Sequence, residues 1–298
     1  MEKRINFDEI RNNNLKSLLL FFLFMLLIAA IGAVAGLVYG NIYFGLIIAL
    51  IFGIIYSLIV WFAGSNILLT LSRAKPVTRQ EYPHLFHTVE GLAIAAGIPT
   101  PKAYVIEDEA LNAFATGRNP KEGVIVVTTG LLRKLNREEL EGVIAHEMSH
   151  IRNYDIRSMM IAAVLTGVVV LLSDFLLRSF IWGGARRDNG GGRAQIFIII
   201  LAVILAILAP LIAQMIKLAI SRKREYAADA GAVVLTRYPQ GIANALKKIS
   251  SDASELKTAT KATAHLYISS PFKKKGFIKG LFSTHPPIED RIKRIEQM

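Results

Sequence analysis

The sequence has no cysteine among its 298 residues. No disulfide framework can form, and no thiolate is available as a metal ligand or as a nucleophile. A cysteine-dependent enzyme is therefore excluded, and any metal site must be built from histidine and carboxylate side chains.

Charged residues are missing from a long stretch near the start of the chain. No Asp, Glu, Lys or Arg occurs within Ser17–Ser72, which is long enough for two helices of about 20 residues each across a hydrocarbon core. We predict spans at Ser17–Tyr39 and Phe44–Leu71, joined by a turn at Gly40-Asn41. We expect residues 1–72 to be a retained membrane region, because no small-residue cleavage site of a secretory signal separates the spans.

Positive charge is abundant but unevenly placed. The net charge is +12, and 53% of the residues are hydrophobic. Lys and Arg lie beside apolar stretches, which is typical of contact with anionic lipid headgroups, and no nucleic-acid-binding motif accompanies them. The lipid bilayer is thus the expected partner, and nucleic acid is not. Positive residues flank the two spans while the turn has none, which predicts cytoplasmic flanks in a multi-pass protein of the inner or plasma membrane: Lys3, Arg4, Arg11, Lys16, Arg73, Lys75 and Arg79.

After the spans, residues 73–157 have the composition of a folded α+β segment. An amphipathic pattern predicts a helix at Tyr82–Ala96. Short β-rich runs predict strands at Lys102–Ile106 and Gly123–Val127, with a third at Leu111–Thr116 between them. This segment should form a small sheet with covering helices.

A metal-binding pattern follows on a predicted helix. Asn136 and Glu139 have the spacing of a capping box, so a helix should run from Arg137 to His150. His146 and His150 are then one turn apart on one face and can bind a single zinc ion at about 2.0–2.1 Å. Glu147 can take a proton from a metal-bound water molecule. The pattern predicts a metalloprotease active site.

A catalytic zinc of this kind needs a third protein ligand. Glu225 is the best candidate, because Glu225 and Asp229 share one face of a predicted helix, where the first can bind metal and the second can orient a ligand histidine. Spacing alone leaves an alternative open, namely that Glu225 forms a solvated ion pair with Arg222 or Arg224.

Two further apolar segments lie between these sites. Residues 158–216 should form a membrane hairpin from Ser158–Ser173 and Ala194–Ile216. Arg178, Arg186, Arg187 and Arg193 lie between the segments, so either both cross the membrane against the usual charge bias or neither crosses fully. Both alternatives return the chain to the same side. Residues 217–298 should then complete the catalytic domain, with a last helix opened by Pro286-Pro287.

Four sequence features occur together in this chain: His146-Glu147-x-x-His150 with Asn153 and Asp155, the segment Ser221–Asp229, Asn112–Ala115, and Thr284-His285-Pro286-Pro287. Together they resemble the HtpX group of membrane zinc endopeptidases, which is related to the CAAX prenyl endopeptidases.

The resemblance implies an α-helical membrane protein with a cytoplasmic α+β zincin-like metalloprotease domain that cleaves misfolded or damaged membrane proteins, or unfolded polypeptides, during stress-related quality control. It implies one Zn²⁺ bound by His146, His150 and Glu225, catalysis by Glu147, and supporting roles beside the ligands for Asp229 and Asn153.

The segment Asn112, Ala113 and Phe114 resembles the edge strand on which such proteases hold an extended substrate by backbone pairing. His285 fits either an oxyanion contact or a helix-entry role, and Lys273–Lys275 fits either a lipid contact or a solvated loop. Two other classes are a membrane scaffold with structural zinc and a transporter. An intact Glu147 disfavours the first, and the scarcity of polar residues in the apolar segments disfavours the second.

Overall fold

The computed structural model describes residues 2–38, 41–183, 222–260, 262–272 and 286–298. Several predictions fall outside these residues and concern Ala194–Ile216, the arginines at 186, 187 and 193, Lys273–Lys275 and His285.

Two long helices form a hairpin at the start of the chain: α1 is Glu2–Val38 and α2 is Ile42–Leu71. Arg11–Ala33 and Ile42–Leu71 are the two helical stretches within the described residues that are each long and apolar enough to cross a membrane. Gly32 and Gly45 let the helices touch, since a Cβ on Gly32 would lie 2.6 Å from the carbonyl oxygen of Gly45. The two predicted apolar helices are present, and they pack against each other within the chain.

A four-stranded sheet follows, with strand order β1-β2-β4-β3. Its strands are β1 (Lys75–Pro76), β2 (Lys102–Ile106), β3 (Ala113–Thr116) and β4 (Val124–Thr128). β2 and β4 are parallel, whereas β1 and β3 pair antiparallel with their neighbours, so β3 is an edge strand. The three predicted strands are present. β1 was not predicted, because a two-residue strand containing proline has no alternating pattern to detect.

The two faces of the sheet are buried against different layers, as the alternation of side chains along a strand requires. Ala115 and Ile125 face a core made with helices outside the N-terminal hairpin, whereas Phe114 and Val126 face a core that includes α1 and α2. The sheet therefore lies between two hydrophobic cores, and the N-terminal hairpin contributes to one of them.

The remaining helices enclose the site. They are α3 (Pro83–Ala96), α4 (Thr129–Lys134), α5 (Arg137–Arg152), α6 (Asp155–Gly183), α7 (Arg222–Thr236), α8 (Pro239–Ser251) and α9 (Ile288–Ile295). The predicted capping box of α5 is present, with Asn136 and Glu139 bonded reciprocally.

α6 begins three residues before the predicted apolar segment at Ser158, so the predicted domain boundary after residue 157 lies inside this helix. α5 and the described apolar part of α6, Asp155–Leu171, meet at an angle of 86°. They count as a third candidate span only if the bent pair is taken as one unit. α6 packs against both α1 and α2, so the three helices lie side by side.

Candidate active site

The two histidines of α5 converge as their spacing predicts. Both are buried, and their Nε2 atoms lie 3.2 Å apart. Glu225, at the start of α7, has carboxylate oxygens 3.9 Å from Nε2 of His146 and 3.6 Å from Nε2 of His150. The three donor atoms lie within 4.8 Å of one another. Arg224, one of the two neighbours considered as an ion-pair partner of Glu225, contacts Asp155, and Arg291 lies 3.6 Å from a Glu225 oxygen.

The spacing fits a tetrahedral metal ion. Two ligands at about 2.0–2.1 Å from a tetrahedral zinc ion are separated by roughly 3.3 Å. The two histidine nitrogens have nearly this separation, and the Glu225 oxygens are a few tenths of an ångström further away. A small rotation of the Glu225 side chain would bring it within ligand distance. The residues present therefore fit zinc.

A carboxylate and an arginine support His146. Nδ1 of His146 lies 2.9 Å from an oxygen of Asp229. Arg291 on α9 donates to both oxygens of Asp229, from Nη2 at 2.7 Å and from Nε at 2.9 Å. The proton of His146 is thereby held on Nδ1, which leaves the Nε2 lone pair for a metal.

His150 has an equivalent support. Its Nδ1 lies 3.0 Å from Oδ2 of Asp155. The other oxygen of Asp155 accepts from Nδ2 of Asn13 at 2.8 Å and from Nη1 of Arg224 at 3.3 Å. Each histidine is therefore oriented by a carboxylate, and each carboxylate is bound by an arginine.

The charged groups around the site have a net charge that a divalent cation would neutralise. Glu147, Asp155, Glu225 and Asp229 are buried carboxylates, and Arg224 and Arg291 are the guanidinium groups that contact them. When all four carboxylates are ionised, these six groups have two negative charges in excess. A divalent cation would neutralise them, and buried charges are tolerated only when they are compensated.

The pKa values of the two histidines shift in opposite directions, and that of His150 reflects the nearby carboxylates. Burial lowers the pKa of His146, and this effect outweighs the contact with Asp229. Burial also opposes the charged form of His150, but Asp155, Glu225 and Glu147 together raise the pKa of His150 to about 9. The negative cluster thus attracts a cation to the side where the three predicted ligands meet.

Glu147 lies beside the ligands and is fully enclosed. Burial raises its pKa from 4.5 to about 7, and nearby Glu225 adds to the shift, while His150, Arg291 and the backbone N–H of Ala115 oppose it. A carboxyl group with a pKa near neutrality can both accept and return a proton.

The edge strand β3 presents backbone groups to the site. Thr128 donates to the carbonyl of Asn112, so in this antiparallel pair Ala113 and Ala115 direct their N–H and C=O groups to the outer edge. The carbonyl of Ala113 accepts from the N–H of Ile268, and the amide of Asn112 donates to the carbonyl of Ser269.

Phe114 points to the opposite face of the sheet, where it packs against Tyr267 with ring centroids 5.1 Å apart. Of the predicted substrate residues, Asn112 and Ala113 therefore contact residues 268–269. Ala115 is the strand residue that contacts Glu147.

The structure also locates the other predicted residues and those that sequence reasoning missed. Asn153 ends α5, and its carbonyl accepts from Nδ2 of Asn13, so it reaches the site only through its neighbours. The roles of Asn13, Arg224 and Arg291 were not predicted. Arg291 did have a signal, because it interrupts the apolar face formed by Ile288, Ile292 and Ile295 on a short amphipathic helix.

Comparisons with known proteins agree with this site. The model of peptidase family M48 matches residues 79–298. The "Protease HtpX homolog" of Listeria monocytogenes is 47% identical over 98% of this chain and 99% of that protein. The homolog of Dictyoglomus thermophilum is 54% identical over 78% of this chain and 75% of that protein. The homolog of Caldanaerobacter subterraneus is 43% identical over 100% of this chain and 99% of that protein.

A crystal structure of S. mikatae Ste24p aligns over 82% of this chain and 56% of that chain, with a TM-score of 0.49 and 22% identity. The family model covers well over half of the chain and includes every proposed metal ligand, and the relatives match the whole length at more than 40% identity. The chain therefore belongs to peptidase family M48 and is a membrane protease.

Proposed function

We propose that this protease is a zinc-dependent endopeptidase that cleaves polypeptides on the cytoplasmic side of the membrane. The observation that carries the proposal is the convergence of His146, His150 and Glu225 next to the buried carboxyl group of Glu147. Three protein ligands leave a fourth tetrahedral position for water or substrate, which is the arrangement of catalytic rather than structural zinc.

The reaction proposed is hydrolysis of a peptide bond. Zinc held by the three side chains would polarise the scissile carbonyl and acidify water. Glu147 takes a proton from the attacking water, whose oxygen bonds to the carbonyl carbon. Glu147 then passes the proton to the amide nitrogen as the C–N bond breaks, which yields a carboxylate and a free amine. Asp229 and Asp155 keep the two histidines in the tautomer that binds metal.

The side of the membrane follows from the charge distribution. Lys75 and Arg79 follow α2, while the turn at Asn41 has no basic neighbour within the charge-free stretch. Because cytoplasmic flanks are enriched in Lys and Arg, the catalytic domain after α2 should lie in the cytoplasm.

We propose misfolded or damaged membrane proteins, and unfolded polypeptides, as substrates. The site lies beside helices that pack on the membrane hairpin, so a segment leaving the bilayer has a short path to it. An extended backbone would pair with the outer edge of β3. Ala115 offers its backbone there directly, whereas Ala113 becomes available when residues 268–269 move aside. Backbone pairing favours weak sequence selectivity.

The decisive experiment uses the full chain purified in detergent with a chelator, so that it does not cleave itself. Zinc is then added together with an unfolded model protein, and fragments are identified by mass spectrometry. We expect cleavage that depends on zinc and is lost in Glu147→Gln, which preserves the size of the side chain. Stoichiometric zinc binding without cleavage by the parent protein would overturn the enzyme proposal in favour of a structural metal. Equal cleavage by both proteins would locate the activity in a contaminant and remove the support for Glu147.

A further inference from the structure

The exposed apolar surface of α2 ends before the C-terminal end of the helix. Its exposed large apolar residues run from Tyr43 to Phe62, and only Leu71 follows them on this helix. At 1.5 Å per residue this band is about 28 Å long, which matches the ~30 Å of a bilayer hydrocarbon core. The headgroup layer on the side of the catalytic domain therefore begins next to Phe62.

A cavity opens immediately beyond this boundary. Its volume is about 260 Å³, and it lies between the last turns of α2 and the ends of β2 and β4. Its lining includes Phe62 at the end of the apolar band, together with the polar or charged residues Asn66, Lys102, Arg118, Lys121 and Glu122. The cavity thus faces the layer in which lipid phosphates lie.

The cavity has an excess of positive charge. Arg118 forms an ion pair with Glu122. Among the described residues, no carboxylate lies within ion-pair distance of Lys102 or Lys121, and both side chains are exposed. Two cations therefore remain for an anionic ligand.

Aromatic side chains of α2 contact two arginines, Arg118 and Arg157, near the cavity. The guanidinium carbon of Arg118 lies 5.3 Å from the ring centroid of Phe62 and 6.0 Å from that of Trp61. Arg157, on α6, lies 5.4 Å from the Trp61 ring. Aromatic rings combined with Lys and Arg are the usual composition of a membrane–water interface.

From this arrangement we propose that the cavity binds the phosphate-bearing headgroup of an anionic lipid from the adjacent leaflet. Lys102 and Lys121 bind the phosphate, Asn66 donates to its oxygens, and the acyl chains lie along Phe62 and the apolar band of α2. Lys102 belongs to β2, and Val124 is the first residue of β4. The lipid would therefore contact both the sheet of the catalytic domain and the membrane hairpin. The site is separate from the proposed zinc centre, so it stands or falls independently of the proposed reaction.

The test uses the full chain in detergent with Glu147→Gln to prevent self-cleavage. Trp182→Phe leaves Trp61 as the only tryptophan, since the sequence has two. Short-chain phosphatidylglycerol, short-chain phosphatidylcholine and inorganic phosphate are titrated separately while Trp61 fluorescence is recorded. Lys102→Gln/Lys121→Gln removes the two available cations. Lys257→Gln/Lys293→Gln removes the same charge from exposed positions elsewhere in the catalytic domain.

We expect saturable binding of phosphatidylglycerol that Lys102→Gln/Lys121→Gln weakens by roughly ten- to thirtyfold, since each basic residue near a membrane surface contributes about 1 kcal/mol. The Lys257→Gln/Lys293→Gln control should change the affinity less than about twofold by the same reasoning. Equal affinity for phosphatidylcholine, or an equal loss in both double variants, would overturn the proposal. Inorganic phosphate that binds as tightly as the lipid would identify a free-phosphate site instead. Unchanged thermal unfolding of the Lys102→Gln/Lys121→Gln variant excludes misfolding as the cause of a loss.

Discussion

Asn13 donates a hydrogen bond to Asp155 across 142 positions of sequence, with Nδ2 lying 2.8 Å from Oδ1. The same amide nitrogen lies 3.0 Å from the carbonyl oxygen of Asn153. Asn13 belongs to α1, at the foot of the first membrane helix, while Asp155 orients His150. The first membrane helix is therefore linked to a proposed metal ligand through a single intervening carboxylate.

We expect Asn13→Ala to weaken zinc binding by up to roughly tenfold, because Asp155 would lose a hydrogen bond, and loss of a carboxylate that orients a metal ligand typically costs 10–100-fold in metal affinity. Competition with a chromophoric chelator would measure the affinity. The visible spectrum of the cobalt-substituted protein would report any change in ligand geometry.

Two neighbouring asparagines provide matched controls for Asn13. Asn12 is exposed, and Asn14 contacts Arg157 rather than Asp155. If Asn12→Ala or Asn14→Ala changes zinc affinity and the cobalt spectrum as much as Asn13→Ala does, the hydrogen bond to Asp155 has no specific role in metal binding.

The Asp229–Arg291 pair should show strong energetic coupling. Arg291→Gln leaves Asp229 buried without its main partner, which should destabilise the metal-free protein by about 3–5 kcal/mol. Asp229→Asn/Arg291→Gln removes both charges and should be less destabilised than the sum of the two single variants. Chemical unfolding of the metal-free protein in detergent would measure the three differences, and simple additivity would contradict the coupling.

Glu147 should make the stability of the metal-free protein depend on pH. Its pKa is raised by burial from 4.5 to about 7, so the folded state favours the protonated form. Its contribution to stability is present below about pH 4.5 and is lost as the pH rises to 7. Glu147→Gln, which cannot ionise, should therefore be more stable than the parent at pH 8, by up to about 3 kcal/mol.

The difference between Glu147→Gln and the parent should nearly vanish at pH 4.5. Thermal unfolding of both proteins across this pH range would measure it. Glu138→Gln, at an exposed position of the same helix, is the matched control. A constant difference between Glu147→Gln and the parent at all pH values would show that Glu147 does not titrate in this range.

The proposed orientation can be tested with single cysteines, because the natural chain has none. An impermeant maleimide added to intact cells should label Asn41→Cys, in the turn between α1 and α2, but should label Lys257→Cys only after the cells are opened. Labelling of Lys257→Cys in intact cells would place the catalytic domain outside and contradict the proposal.

Backbone pairing with β3 predicts a particular sensitivity of the substrate. Replacing one substrate amide by an ester removes an N–H donor without changing the side chains. We expect esters at one or two positions flanking the cleaved bond to reduce kcat/KM by roughly tenfold, since each hydrogen bond contributes about 1 kcal/mol or somewhat more. A uniform response along the peptide would argue for recognition by side chains instead.

Features that depend on the residues of a single helix could be predicted from the sequence. The capping box of α5, the shared face of His146 and His150, and the two membrane helices follow from helical periodicity and helix length, which are local properties. The structure agrees with each of them.

Contacts between distant elements could not be derived in this way. Nothing in the local pattern around Asn13 indicates that it bonds to Asp155, because α1 and α6 are separated in sequence by α2 and the whole sheet. The reciprocal arrangement of Asp229 with Arg291 and of Asp155 with Arg224 is equally non-local. Arg291 was the exception with a detectable signal, since a charged residue on an apolar helix face implies a buried partner.

The position of the sheet between two cores has a consequence for how this protease can be handled. Phe114 and Val126 pack on a layer that includes α1 and α2, although the family match begins only at residue 79. A fragment cut at that point would lose α1 and α2 from this layer and would expose the apolar side chains of α6 that pack on them, and an exposed apolar face of this kind leads to aggregation. The membrane hairpin is thus part of the interior of the enzyme as well as its anchor.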